Sequence, residues 1–217
     1  MRPAADFFNT PLVESLSPSI LRHAARGVAF DGRPLPAGTL EALDRAARLS
    51  PASVRFVSDD AERAAVAALV AEGDRILFAD PNYRFELMTW WRRHASSAET
   101  DIDALLPVPD LFPGLGSFYL SSFDLGDLQA RRDFRLAARA PLHLAIYAGR
   151  PPEGFSAVID TTRRLVAEAE RSSLAASFFN QPVLVPDLGR RLAATLLLPA
   201  PPQVLLAVGA LRAGQPD

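Results

Sequence analysis

Hydrophobic residues recur every three or four positions over much of the chain, which is the spacing of helices that bury one face. Acidic residues or proline stand where two of these helices begin, at Asp59-Asp60 and at Asp80-Pro81. An acidic side chain accepts hydrogen bonds from the first free N–H groups of a helix, and proline fits the first turn because no N–H is needed there. The predicted helices lie at about residues 17–26, 38–48, 59–72, 80–94, 155–169 and 187–196, and the stretch after Gly73 is left open.

Three shorter segments have the pattern of strands. Val54 and Phe56 alternate with polar residues between 53 and 58. Residues 141–148 alternate as well, with Leu142, Leu144 and Ile146 on one face and His143, Ala145 and Tyr147 on the other. The run from Val204 to Val208 is wholly apolar, which is typical of a central strand buried on both faces. Strands scattered among more numerous helices predict an α+β fold with a central mixed or antiparallel sheet flanked by helices.

Prolines and glycines interrupt every short apolar run between residues 96 and 135. A long irregular segment inside a domain is usually a lid, a binding loop or a contact with a partner. We therefore interpret 96–135 as a lid or dimer-contact excursion, with a helix allowed around 125–135. Residues 1–16 are interpreted as a weakly ordered arm. Without an internal repeat or a low-complexity linker, the sequence predicts one domain over residues 1–217.

The composition excludes several functional classes. Hydrophobic residues make up 49% of the 217 positions and charged residues 22%, with a formal net charge of −2, so no broad attraction to nucleic acid is expected. No stretch has the roughly 18 uncharged apolar residues that a membrane span needs, and the first residues lack the apolar core of a secretory signal. We expect a soluble protein in the cytoplasm, without a nucleic-acid or membrane partner.

The chain has few side chains suited to covalent catalysis. It contains no cysteine, and all 23 basic residues are arginines. Thiolate nucleophiles, Schiff-base lysines and the lysine of a phosphate-binding loop are therefore absent. Asp101 and Asp103 have no evident third metal ligand, so no metal site and no catalytic residue are assigned. Any chemistry is expected to belong to a bound cofactor.

Arginines provide the candidate binding groups. Arg22 and Arg26 are four residues apart on a predicted helix, so their guanidinium groups can converge on one anion. A solvated basic helix face is the alternative, and Arg212 is a third candidate for the same anion. His143 is interpreted as a half-buried, hydrogen-bonded strand residue. Of the neighbours Trp90 and Trp91, one is expected in the core and the other at an interface or a pocket.

Several segments, in order along the chain, resemble nitroreductase-like FMN proteins and in particular their divergent Acg-like branch. These segments are Arg22-His23-Ala24-Ala25-Arg26 with Phe30–Pro36, Leu49–Ser53, Asp80–Leu87 with Trp90, Ser173–Pro182, Val185–Leu188 and Pro202–Gly209. The resemblance implies an α+β homodimer with FMN at the subunit interface. It also implies an oxidoreductase that moves hydride from NAD(P)H through FMN to a small organic acceptor.

The resemblance also implies roles for individual residues. Arg22 and Arg26 would hold the phosphate or ribityl oxygens of FMN, with His23 and Ala24 near them. Arg212 would complete the phosphate site. Ser50 and Ser53 would approach the flavin, and the backbone of Leu174, Ala175 and Ala176 would line the edge of its ring.

Two other interpretations remain open at this point. The Asn-x-Gln-Pro-Trp segment that follows Ala-Pro-Ser in the family is missing after Ser53. This departure favours a catalytically degenerate protein that binds or sequesters flavin without turnover. In the other interpretation the chain is a structural or interaction protein, and Arg22 and Arg26 are ordinary surface residues.

Overall fold

The chain folds around a four-stranded antiparallel sheet, in a computed structural model that describes residues 7, 12–16, 29–94, 124–149 and 154–212. The side chains at positions 91, 92 and 94 are outside this description. The strands are β1 Ser53–Val57, β2 Leu142–Tyr147, β3 Ala175–Phe178 and β4 Val204–Gly209. The helices are α1 Thr39–Arg48, α2 Asp60–Ala79, α3 Pro81–His94, α4 Gly126–Arg139, α5 Phe155–Arg171, α6 Gln181–Leu184 and α7 Pro186–Thr195. Residues 12–16 are also helical.

The predicted helix starts are confirmed at atomic level. The Asp59 carboxylate accepts hydrogen bonds from the N–H groups of Ala61 and Glu62, both at 3.0 Å, where α2 begins. Asp80 accepts one from the N–H of Asn82 at 2.8 Å, beside the start of α3. Each bond satisfies an N–H group that has no partner within its own helix. Local side chains therefore set both helix boundaries.

Helix α2 continues through Gly73 to Ala79, which answers the question that the sequence leaves open. A Cβ atom at position 73 would lie only 2.7 Å from the Cβ atom of Gln181 in α6. The glycine therefore permits the close approach of two helices and does not end one. This contact places Gln181 beside the middle of α2.

The sheet has the order β1-β2-β4-β3, and every neighbouring pair is antiparallel. The α+β class predicted from the sequence is thereby confirmed. The central position of β4 is confirmed as well, since all six of its residues are buried. Leu144 on β2 packs in a hydrophobic cluster with residues of α1 and α5, and its neighbour Ala145 packs in a second cluster with residues of α2, α4 and α7. The predicted alternation of β2 is therefore correct.

Two elements were not expected from the sequence, namely β3 and the four-residue helix α6. The helix allowed around residues 125–135 exists as α4, which packs most extensively against α2. Residues 96–123 of the predicted excursion lie outside the described residues, so its interpretation as a lid or dimer contact stays a prediction. Within the predicted arm, Leu16 belongs to the helical residues 12–16 and is buried.

Two non-glycine residues have left-handed backbone conformations, Ser173 with φ 57° and Leu197 with φ 54°. Each follows the last turn of a helix, α5 and α7 respectively. Beyond Leu197 the N–H of Leu198 donates back to the carbonyl of Ala193 at 2.8 Å, the pattern in which glycine usually ends a helix. None of the described helices is long and apolar enough to cross a membrane.

Candidate functional site

The chain segment before α1 is hydrogen-bonded to the segment that follows β4. Phe30 forms a β-bridge with Leu211, and the N–H of Asp31 donates to the carbonyl of Ala210 at 3.0 Å. In return the N–H of Arg212 donates to the carbonyl of Ala29 at 2.9 Å. Because these bonds join backbone to backbone, they fix the path of both segments. We call residues 29–31 and 210–212 the terminal junction.

Arg212, predicted to bind phosphate, lies at this terminal junction and is exposed. Its backbone is held by the bond to Ala29, so only its side chain is free to adapt to an anion. Arg22, His23, Ala24 and Arg26 lie outside the described residues. In sequence, Arg26 precedes Ala29 by three positions.

The predicted ring-lining residues lie on or next to β3, near the same end of the sheet. Ala175 pairs with Gly209 and Ala176 pairs with Val208. Leu174 donates its N–H to the carbonyl of Ala169 at 2.9 Å, which ties the start of the strand to the end of α5. Leu174 and Ala175 are each 5% exposed and Ala176 is 0% exposed. The chain by itself therefore offers little surface at these three residues.

Ser53 lies far from these residues within one chain. It pairs with Tyr147, whereas Ala176 pairs with Val208, which in turn pairs with Leu142. The two positions differ by five residues along β2 and three strand spacings across the sheet, roughly 17 Å by 14 Å, or about 22 Å along the diagonal. Ser53 and the β3 residues therefore stand at opposite corners of the sheet.

Ser50 lies in the loop before β1 and is occupied by a local contact. Its hydroxyl donates to the carbonyl of Ala46 at 2.8 Å. Two residues later the N–H of Ala52 donates to the hydroxyl of Thr161 on α5 at 3.1 Å. That hydroxyl in turn donates to the carbonyl of Ala157 at 2.7 Å. The loop that carries Ser50 and leads into Ser53 is thus tied to α5 through one threonine.

A buried polar cluster, not predicted from the sequence, lies where α2, α4 and α6 meet. Asp74 comes from α2, Gln129 and Asp133 from α4, and Gln181 from α6. The side-chain amides of Gln129 and Gln181 both donate to Oδ2 of Asp133, at 3.1 and 2.8 Å. Tyr83 of α3 lies close enough for both carboxyl groups to raise its pKa, after burial itself. We call these five residues the buried carboxyl cluster.

Burial changes the acidity of both aspartates. The pKa of Asp74 is raised to about 9, first because burial disfavours its charged form and second because Asp133 is negatively charged. Burial also raises the pKa of Asp133 to about 6, against the opposing effects of Arg132 and of the two amides. Both carboxyl groups are therefore harder to ionise than a solvated pair of aspartates.

A sequence signal for this cluster exists. Asp74 stands four residues after Val70 and three before Leu77, on the buried face of α2. Asp133 stands likewise between Ala130 and Ala137 on α4. An acidic residue on the apolar face of a helix marks a buried carboxyl group. The sequence does not show that the two residues meet.

His143 differs from its prediction. It is fully buried, not half-buried, and within the described residues neither ring nitrogen has a hydrogen-bond partner. Its pKa is lowered to about 4, first by burial and then by the positive charge of Arg63, while the Ala137 carbonyl acts weakly in the opposite direction. His143 is therefore neutral in the folded protein at physiological pH. Trp90 is buried, as one of the two tryptophans was expected to be.

Among the residues that the structure describes, no three histidine, aspartate or glutamate side chains are grouped so that they could hold a metal ion. Comparison of the sequence with models of known protein families gives no match, and comparison with curated protein sequences gives none either. The structure, by contrast, resembles that of a nitroreductase with bound FMN from Bacteroides fragilis. The TM-score is 0.50 at 13% sequence identity, and the match covers 96% of this chain and 92% of that chain. The fold is therefore nitroreductase-like over nearly the whole chain.

Proposed function

We propose that this protein is an FMN-dependent oxidoreductase of the nitroreductase type, related to the Acg-like branch. It would move hydride from NAD(P)H through FMN to a small organic acceptor. The observation that carries the proposal is the terminal junction, within a fold that resembles an FMN-binding nitroreductase. The junction brings Arg212 beside the segment that follows Arg26.

Arg212 is the described residue that would bind the phosphate end of FMN. Arg212 has a fixed backbone and an exposed guanidinium group, which suits a charge-assisted, two-pronged contact with phosphate. Arg22 and Arg26, with His23 and Ala24 near them, would add the remaining contacts to phosphate or ribityl oxygens. Several arginines on one phosphate would make binding strongly dependent on salt.

The separation of the residues that would contact the flavin ring supports a homodimer. Ser53 and the residues of β3 lie at opposite corners of the sheet, about 22 Å apart within one chain. A flavin touching both groups would therefore take them from two chains, which supports a site at a subunit interface. Ser50, Ser53 and the backbone of Leu174–Ala176 would then surround one flavin from two sides.

Bound FMN supplies the hydride transfer itself, and no side chain of this protein needs to act as a nucleophile or as a general acid. The chain's task is to hold the phosphate, orient the ring and exclude water. The apolar, buried surroundings of Leu174, Ala175 and Ala176 would provide the dry side of such a pocket.

The same burial favours a second candidate function. Leu174–Ala176 expose almost no surface in the described structure, so a ring that stacks there has little room. A protein that binds the phosphate and ribityl part of FMN while holding its ring poorly would sequester flavin without turning it over. Nicotinamide would then leave the bound flavin oxidised.

One experiment separates these candidates. The full-length protein is purified, its visible absorbance is measured with and without added FMN, and NADH or NADPH is then added under anaerobic conditions. Bound flavin that loses its absorbance supports the oxidoreductase, and bound flavin that stays oxidised supports the sequestering protein. Colourless protein that FMN does not stabilise against heat excludes both.

Variants locate the phosphate site. Arg212→Ala and the double variant Arg22→Ala/Arg26→Ala should each weaken FMN binding at least tenfold, because a hydrogen bond between charged groups contributes about 1.5–3 kcal/mol. Arg190→Ala is the matched control, since Arg190 is an exposed arginine whose ion pair with Asp187 stays within α7. Equal FMN affinity in all these variants would show that the terminal junction does not take part in FMN binding.

A further inference from the structure

The buried carboxyl cluster contains acceptor atoms that lack a donor. Within the described structure, Oδ2 of Asp74 and the amide oxygens of Gln129 and Gln181 have no hydrogen-bond partner. Gln129 is 9% exposed and Asp74 is 1% exposed, so water does not substitute freely for a partner. Unpartnered acceptors in such a place destabilise the fold. A donor among these atoms would remove that cost.

Gln181 connects α4 with the part of α2 that carries Asp74. Its side-chain amide donates to Oδ2 of Asp133 at 2.8 Å, and its Cβ lies 2.7 Å from where a Cβ would stand at Gly73, the residue before Asp74. The same amide lowers the pKa of both carboxyl groups. The side-chain amides of Gln129 and Gln181, which donate to Asp133, are neutral and bring no compensating charge. Two full negative charges around one amide, away from water, would repel each other strongly.

We propose that Asp74 and Asp133 share a single proton in the folded protein and thereby form a pH-sensitive latch that holds α2 against α4 and α6. The proton turns Oδ2 of Asp74 into a donor for one of the neighbouring acceptor oxygens. It also leaves one negative charge in the cluster, which the two amides stabilise.

The charged and titratable neighbours do not replace this proton. On α2, Arg75 is exposed and pairs with Asp127 of α4 at 2.9 Å. On α4, Arg132 opposes the rise in both carboxyl pKa values. On α3, Tyr83 stays neutral, since burial raises its pKa. Helix α7 reaches α2 through the exposed pair of Arg191 and Glu72.

Loss of the proton would first weaken the contacts of α6, the shortest of the three helices that meet at the cluster. Helix α6 has only four residues, and it contacts α2 directly where Gln181 meets Gly73. With two negative charges in the cluster, α2 and α4 would separate around Gln181. Alkaline pH should therefore loosen this junction before the rest of the core.

The test compares the pH dependence of stability in the full chain and in Asp74→Asn. Unfolding by urea is followed from pH 5 to pH 8. The folded wild type keeps a proton that the unfolded chain releases, so its stability falls as pH rises from the ordinary aspartate range toward the folded value. Relative to Asp74→Asn, the folding equilibrium constant of the wild type should fall roughly tenfold per pH unit.

Asp127→Asn is the matched control, because Asp127 is an exposed aspartate on α4, and its ratio to the wild type should stay constant over the same pH range. A constant ratio for Asp74→Asn as well would overturn the proposal. If Asp74→Asn does not fold, infrared spectroscopy of the wild type decides. A protonated carboxyl band that persists at pH 7 supports the shared proton, and its absence at pH 7 overturns it.

Discussion

Thr161 and Thr162 give a sharp test of how the serine-bearing loop is held. The two threonines are neighbours on α5 and both are fully buried. The hydroxyl of Thr161 accepts from the N–H of Ala52 and donates to the carbonyl of Ala157. The hydroxyl of Thr162 has no partner within the described structure. The same substitution, threonine to valine, should therefore have opposite effects at adjacent positions.

The magnitudes follow from these contacts. In Thr161→Val the buried N–H of Ala52 loses its acceptor, which costs about 1–3 kcal/mol. In Thr162→Val a buried hydroxyl without a partner is replaced by a methyl group, which should stabilise the fold by about 1 kcal/mol. In a domain of this size, 1 kcal/mol shifts the melting temperature by about 2–4 °C.

Thermal and urea unfolding of both variants measure this difference directly. Thr161→Val should melt roughly 2–12 °C below the wild type, and Thr162→Val should melt about 2–4 °C above it. Equal melting temperatures for the two variants, or the reverse order, would refute the assignment of the Ala52 bond. Urea unfolding should show an unchanged slope, because neither change alters the surface exposed on unfolding.

Three further predictions concern backbone conformation, packing and pH. Leu197→Gly should raise the free energy of unfolding by about 1 kcal/mol, because Leu197 is 90% exposed and left-handed, whereas Leu49→Gly, at a negative φ, should not. Gly209→Ala should lower it by about 1–3 kcal/mol, since the new Cβ would lie 2.7 Å from the ring of a neighbouring proline, whereas Gly149→Ala, with open space, should be nearly neutral. His143 stays neutral in the folded protein down to pH about 4, whereas in the unfolded chain it gains a proton near pH 6.5, so the wild type loses stability as pH falls between these values. In urea unfolding, His143→Leu should lose less stability than the wild type between pH 6.5 and 4.

The sequence predicts the elements whose pattern is local. Asp59 and Asp80 mark helix starts because capping needs only the next three residues. The apolar run beginning at Val204 predicts a central strand because burial on both faces leaves no polar positions. The alternation in β2 predicts both of its packing surfaces, including the side on which Leu144 lies.

The remaining features depend on contacts between distant parts of the chain. Strand β3 begins with Ala175-Ala176, which have little strand preference, so its conformation comes from pairing with β4. Asp74 and Asp133 are recognisable as acidic residues on apolar faces, but only the packing of α2 on α4 brings them together. His143 lies on the face of β2 that α2, α4 and α7 cover, and an alternating pattern alone does not show how deeply it is buried.

The geometry of the candidate site depends on distant contacts in the same way. The sequence shows Arg212 only as an arginine near the end of a buried strand. Its place at the terminal junction depends on a backbone pairing with residues 29–31 that no local pattern shows. The distance between Ser53 and the β3 residues follows from the order of the strands, which the sequence does not predict.

The central claim is that this fold binds FMN through the terminal junction. The most direct measurement is a titration of FMN with the full-length protein, followed by the change in flavin fluorescence, for the wild type, Arg212→Ala and Arg190→Ala. We predict saturable binding by the wild type and the Arg190 variant, and at least tenfold weaker binding by the Arg212 variant. A wild type that leaves the flavin fluorescence unchanged, at protein concentrations well above micromolar, would contradict the claim.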